Sequence, residues 1–140
     1  GKTDVIMMLN GALAGLVAIT AEPLTPSPLA AIFIGAIGAI IMYFGTKMLE
    51  GFGLDDVVGA IPVHMFAGIF GTLIVPATNS ETSFGTQFIG TLSVVLFSFV
   101  LSYAVFVALK ATIGLRVSKE AERLGTDKAE IGVQAYAIRD

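Results

Sequence analysis

The sequence contains no cysteine and no tryptophan, and it has one histidine among its 140 residues. Without cysteine, disulfide bonds and thiolate metal sites are excluded, and a single histidine disfavours a zinc site. We therefore expect no metal and no cofactor. Charged residues make up only 14% of the chain, against about 25% in a typical soluble domain. The net charge of −3 comes without a basic stripe, so the sequence does not indicate nucleic-acid binding.

The few charges are segregated along the chain. Four stretches, residues 5–21, 29–46, 57–76 and 87–109, contain no Asp, Glu, Lys or Arg. About 20 apolar residues in a helix cross the hydrocarbon core of a bilayer. The pattern therefore predicts an all-α membrane protein. Its four transmembrane helices fall within a transmembrane region of residues 1–113, and a short, partly helical tail, residues 114–140, follows.

The placement of the basic residues predicts the orientation in the lipid bilayer. The connections 22–28 and 79–83 contain no Lys or Arg, and with four spans all eight basic residues lie on the other side. Basic residues favour the cytoplasmic side of a membrane. We therefore expect a multi-pass protein of the cell (inner) membrane with both ends of this segment and the tail in the cytoplasm.

His64 lies near the middle of the third apolar stretch. An ionisable side chain at that depth is costly and points to function, although a structural histidine bonded to a neighbouring helix is the alternative. Ala60, His64, Gly68 and Thr72 recur every four residues, which predicts that they share one helix face. Small residues on that face leave room for another helix or for a narrow path.

Two other features frame this stretch. Asn10 precedes a GxxxG pattern at residues 11–15, which favours close helix packing. Its amide should face protein or a cavity, with an interhelical hydrogen bond as the structural alternative. Asp55 and Asp56 are expected to cap the third helix. No nucleophile, metal cluster or carboxylate pair accompanies His64, so we do not expect an enzyme.

Four stretches carry a resemblance to a known family: residues 10–20, residues 55–64 with 67–72, residues 114–118 and residues 135–136. They resemble the C-terminal third of an ammonium transporter of the Amt/Mep/Rh family. The resemblance implies a homotrimer whose subunits each have about eleven helices and one hydrophobic pore, with this chain supplying the last four helices. The family's first pore histidine and its aromatic gate lie upstream, so we expect this chain to need other segments to enclose a pore.

The resemblance also implies roles for individual residues. His64 falls on the second of the family's paired pore histidines, Asn10 on a small polar residue that lines the path, and Thr20 near the outer mouth. Ala60 lies on the predicted face of His64. The tail resembles the family's regulatory segment, which in many bacteria supports binding of a PII-type signal protein. The tail residues that carry this resemblance are Gly114, Arg116 and Tyr136.

Three functions remain open at this level. The first is conduction of ammonium or ammonia by the protein to which the chain contributes. The second is a non-conducting membrane sensor or assembly module that acts through its cytoplasmic tail, and uptake of labelled methylammonium would separate these two. The third is a small four-helix exporter. Such exporters rely on a membrane-embedded carboxylate, and none of the four predicted transmembrane stretches contains one.

Overall fold

The fold was analysed in a computed structural model that describes residues 2–135. All regular structure in this range is helical, and it contains no strand, as expected for an all-α protein. The chain divides into two compact units, Gly1–Val95 and Leu96–Asp140, and each is described by itself.

The first unit begins with two helices joined by a proline-rich loop. Helix α1 spans Val5–Ile19, and the side chain of Asp4 accepts a hydrogen bond from a backbone N–H in its first turn. Helix α2 spans Pro28–Gly51, is capped in the same way by Ser27, and has proline in its first turn. Proline is suited to this place because its missing N–H would have no partner there.

The third helix, Ile61–Ala77, changes its hydrogen-bonding pattern along its length. It starts as a π-helix over Ile61–Phe66, continues as an α-helix over Ala67–Ile74 and ends in a 3₁₀ turn over Val75–Ala77. Short π-helical turns are rare and occur frequently at functional sites. This one contains His64.

Helices α1 and α2 approach each other through small residues. A Cβ added at Gly15 would lie 3.2 Å from the carbonyl oxygen of Gly35. One added at Gly38 would lie 2.6 Å from Cβ of Ala18 and 2.9 Å from the carbonyl oxygen of Ala14. Backbones this close require glycine, as in GxxxG-type contacts between membrane helices.

The third helix packs on this pair through residues spaced four apart. Ala67 and Gly71 are both buried, and a Cβ added at Gly71 would overlap the backbone of Ala18. Dispersion contacts in such a core are individually small and collectively large. The central cluster of buried residues consists of Ala14, Met42, Val63 and Ala67, with Met7 and Val17 packed against it.

A side-chain contact joins the two loops that follow α1 and the third helix. The amide of Asn79 donates to Oε2 of Glu22 at 3.1 Å. The other carboxylate oxygen of Glu22 accepts from the backbone of Leu24 at 3.2 Å, and Oδ1 of Asn79 accepts from the backbone of Glu81 at 2.9 Å. Both side chains therefore order their own loops as well as linking them.

Helix α4 spans Phe84–Thr112, and none of its residues is buried. It passes from the first unit into the second. There, helix α5 spans Lys119–Leu124 with Ser118 as its cap, and a short π-helical turn spans Asp127–Ile131. The tail is thus partly helical over its described residues.

The helix lengths bear on the number of membrane crossings. Pro28–Gly51 and Phe84–Thr112 are long and apolar enough to span a membrane, whereas Val5–Ile19 and Ile61–Ala77 are shorter than 18 residues. The count of four crossings therefore stays a prediction. Helix α1 ends before residue 21 because both the N–H and the hydroxyl of Thr20 turn back to the carbonyl of Val17.

Candidate functional site

His64 lies on the open side of the third helix. Its neighbours Pro62 and Val63 are buried, as are the residues at 67, 71 and 75, whereas His64 itself is exposed. No hydrogen bond or ion pair joins the imidazole to another side chain within residues 2–135. The buried side of the helix therefore holds the backbone in place. On the opposite side, both ring nitrogens of His64 are available for hydrogen bonds.

The start of the third helix is fixed by a capping carboxylate. Oδ1 of Asp56 accepts from the N–H of Ala60 at 2.9 Å, and Oδ2 accepts from the N–H of Ile61 at 2.8 Å. The capping prediction is thus correct for Asp56. The helix starts later than residue 57 because Gly59 has φ +75°, which an α-helix does not accommodate.

The amide of Asn10 contacts the turn before the third helix and not a neighbouring helix. Its Nδ2 donates to the carbonyl oxygen of Val58 at 3.0 Å, across 48 residues of sequence. A Cβ added at Gly59 would lie 2.5 Å from the same nitrogen. The amide of α1 is therefore in contact with the turn that precedes the third helix.

The other two predicted path residues occupy different places. Ala60 is exposed and directly follows the turn that Asn10 contacts. Thr20 is exposed at the end of α1, and its hydroxyl donates to the carbonyl oxygen of Val17 at 2.7 Å. Ten residues of helix separate Asn10 from Thr20, about 15 Å at 1.5 Å per residue. The fold therefore brings Asn10 close to Ala60 and leaves Thr20 at the far end of α1.

Two of the three predicted tail residues lie in the described part of the second unit. Gly114 has φ +90° and follows the end of α4. Arg116 pairs with Glu122 at 3.6 Å, with both side chains exposed, so the pair contributes little to stability. Tyr136 lies outside the described residues.

Asp127 organises the last described residues of the tail. Its Oδ2 accepts from the N–H of Ala135 at 2.8 Å. Backbone N–H groups of Ala135 and Lys128 lower the pKa of this carboxyl from its ordinary value. Because the pKa is lower in the folded state, the contact stabilises the tail at neutral pH, and this stabilisation is lost as the pH falls through the lowered pKa.

The comparison with known sequences decides which family this site belongs to. The sequence pattern of the Ammonium Transporter Family matches residues 1–136. The chain belongs to this family. The resemblance stated from its motifs is thereby confirmed.

Individual ammonium transporters are similar over nearly the whole chain. Ammonium transporter Amt2 of Archaeoglobus fulgidus is 41% identical over 157 residues, which cover 97% of this chain and 33% of the relative. A putative ammonium transporter of Synechocystis is 38% identical over 133 residues, with 94% and 30% covered. An ammonium transporter of Aquifex aeolicus is 33% identical over 152 residues, with 99% and 36% covered. The chain thus spans about a third of the length of these relatives.

Sequence reasoning did not single out Gly59. Its positive φ and the contact with Asn10 make it the residue at which α1 meets the turn before His64. The available signal was a glycine between the Asp55–Asp56 pair and Pro62, where a chain that turns into a helix tolerates a left-handed residue. In this member of the family, the candidate site therefore includes the turn as well as the helix.

Proposed function

We propose that this chain is part of an ammonium or ammonia channel-transporter and that His64 is its pore histidine. The observation that supports this most directly is the exposed imidazole on a helix whose other side is buried. A polar group without a protein partner is costly in an apolar region. A conducted molecule that hydrogen-bonds would satisfy the ring where the described residues do not.

The chemistry of imidazole suits such a path. A narrow apolar path rejects hydrated cations because removing their water costs much free energy. Ammonia needs hydrogen-bonding groups in place of that water, and a neutral imidazole both donates and accepts. We place Ala60 next to His64 on this path as a small residue that leaves space, and Thr20 nearer to its outer mouth.

The remaining parts of the proposal concern the arrangement in the membrane. We propose four crossings of the inner membrane, with both ends of this segment in the cytoplasm, because all eight basic residues then lie on that side. By family resemblance we further propose a homotrimer, and a regulatory tail with Gly114, Arg116 and Tyr136 that a PII-type signal protein contacts.

Uptake of labelled methylammonium tests the proposed function. The full-length protein that contains this chain, reconstituted in liposomes, is expected to accumulate the label in proportion to time and protein. Protein-free liposomes and liposomes with a boiled sample are the controls. Uptake at the level of the controls would instead favour the non-conducting sensor or assembly module.

The orientation makes a separate prediction. In a cysteine-free background, a cysteine at Ser80 is expected to react with an impermeant maleimide added to intact cells, because its loop lies outside. A cysteine at Thr126 is expected to react only after the cells are permeabilised. Both positions are exposed, so accessibility to the reagent is matched. The reverse labelling pattern would contradict the proposed topology.

A further inference from the structure

Asn10 is joined to the turn that leads into the π-helix of His64. Its Nδ2 donates to the carbonyl oxygen of Val58 at 3.0 Å, and the acceptor fixes which end of the amide faces the turn. Only a donor can satisfy a carbonyl oxygen. An aspartate of the same shape would place a carboxylate oxygen against that carbonyl and repel it.

The turn itself is shaped to receive this amide. Gly59 is buried and has φ +75°, and a Cβ there would lie 2.5 Å from Nδ2 of Asn10. Real Cβ atoms do not approach other atoms so closely, so a side chain at 59 would displace the amide. The left-handed backbone and the hydrogen bond therefore depend on the same glycine.

The turn is connected to His64 through the backbone. The carbonyl oxygen of Gly59 accepts from the N–H of Val63 at 3.1 Å, and Val63 directly precedes His64. Asp56 holds the two intervening N–H groups of Ala60 and Ile61. A rotation of the turn at Val58 would therefore be transmitted to the first turn of the π-helix, where the imidazole is attached.

We propose that Asn10 is a positioning residue for His64: by holding the turn at Val58 and Gly59, it keeps the π-helical start and the direction of the imidazole. The inference rests on the proposed function, in which His64 contacts the conducted molecule. It gives Asn10 a role through His64 instead of direct contact with that molecule. A misplacement of about 1 Å at a reacting group is enough to reduce a rate about a hundredfold.

The test compares Asn10→Asp and Gly59→Ala in the full-length protein. Both are expected to lower the maximal rate of methylammonium uptake by about tenfold or more, with little change in KM. The bound molecule can still enter the path, but it is no longer aligned with the ring of His64. Gly53→Ala is the matched control. Gly53 also has a positive φ of +67° but has nothing near its Cβ position, so this variant carries the backbone strain without the contact.

The NMR signal of the His64 ring distinguishes a change in the position of the ring from a general loss of stability. In protein labelled with ¹⁵N-histidine, the His64 signal is the one that disappears in His64→Gln. Asn10→Asp and Gly59→Ala are expected to shift this signal, and Gly53→Ala is expected to leave it in place. An unshifted ring signal in Asn10→Asp would overturn the inference, whether or not uptake falls.

The two hypotheses fail in different ways. If the unmodified protein takes up no methylammonium, the proposed function is wrong, and the shift of the His64 signal alone decides whether Asn10 positions the ring. If Gly53→Ala shifts the His64 signal as far as Gly59→Ala does, backbone strain explains the result and the inference is overturned.

Discussion

Replacement of His64 by leucine is expected to reduce methylammonium uptake and ammonium-driven current by at least about tenfold. Leucine fills the space at the ring but offers no hydrogen bond to a desolvated molecule. An unmet hydrogen bond of this kind costs about 1–3 kcal/mol, and each 1.4 kcal/mol corresponds to about tenfold in rate. Uptake into liposomes and current at a supported membrane measure the two quantities.

His64→Ala separates two effects of the leucine substitution, the loss of the hydrogen bond and the obstruction of the path. Alanine leaves the path open, so we expect an altered rate or selectivity with less obstruction than leucine causes. Because His64 is exposed and makes no packing contact that buries it, both variants are expected to give a normal yield of assembled protein. Met65→Leu, at the next and 44% exposed position, is the matched control. If both His64 variants transport like the unmodified protein, His64 is structural and the proposed role is wrong.

Gly71→Ala is expected to destabilise the helical core by about 1–3 kcal/mol, the usual cost of adding a methyl group to a tightly packed site. The added Cβ would overlap the backbone of Ala18, which cannot rotate away as a flexible side chain can. The change should lower the midpoint of thermal unfolding in detergent, followed by circular dichroism.

Gly51→Ala serves as the control for that substitution. Gly51 is also helical, being the last residue of α2, but nothing lies within 4 Å of its Cβ position. Alanine favours a helix over glycine by up to about 1 kcal/mol, so the unfolding midpoint should stay the same or rise. Equal destabilisation by both variants would show that close approach at Gly71 is not the cause.

The charge pattern was a good guide to the helices and a poor guide to their ends. Helix α2 continues to Gly51, past the predicted end at residue 46, because Leu49 in the last turn is buried, while Lys47 and Glu50 remain exposed and pair on its surface. A charge that ends an apolar stretch need not end a helix. Similarly, α4 continues past Lys110 to Thr112.

The sequence predicted which helices carry the candidate residues, but it did not predict the contacts between them. Sequence spacing marked His64 and its small neighbours, but it assumed a regular α-helix. The π-helical start depends on Gly59, Asp56 and the distant Asn10, and no local pattern announces a contact across 48 residues. Of the small-residue stripe, Ala60 and His64 are exposed while Gly68 and Thr72 are half-buried, since a π-helical turn holds more residues than an α-helical one.

The hydrogen bond between Asn79 and Glu22 has a consequence for the motions open to the protein. Bonds to charged groups contribute about 1.5–3 kcal/mol, and because this one is only partly buried, the lower value applies. A conformation with the two loops apart is then disfavoured roughly tenfold. The loop after α1 and the loop after the third helix therefore move together in most of the population, and a motion that separates them must first break this hydrogen bond.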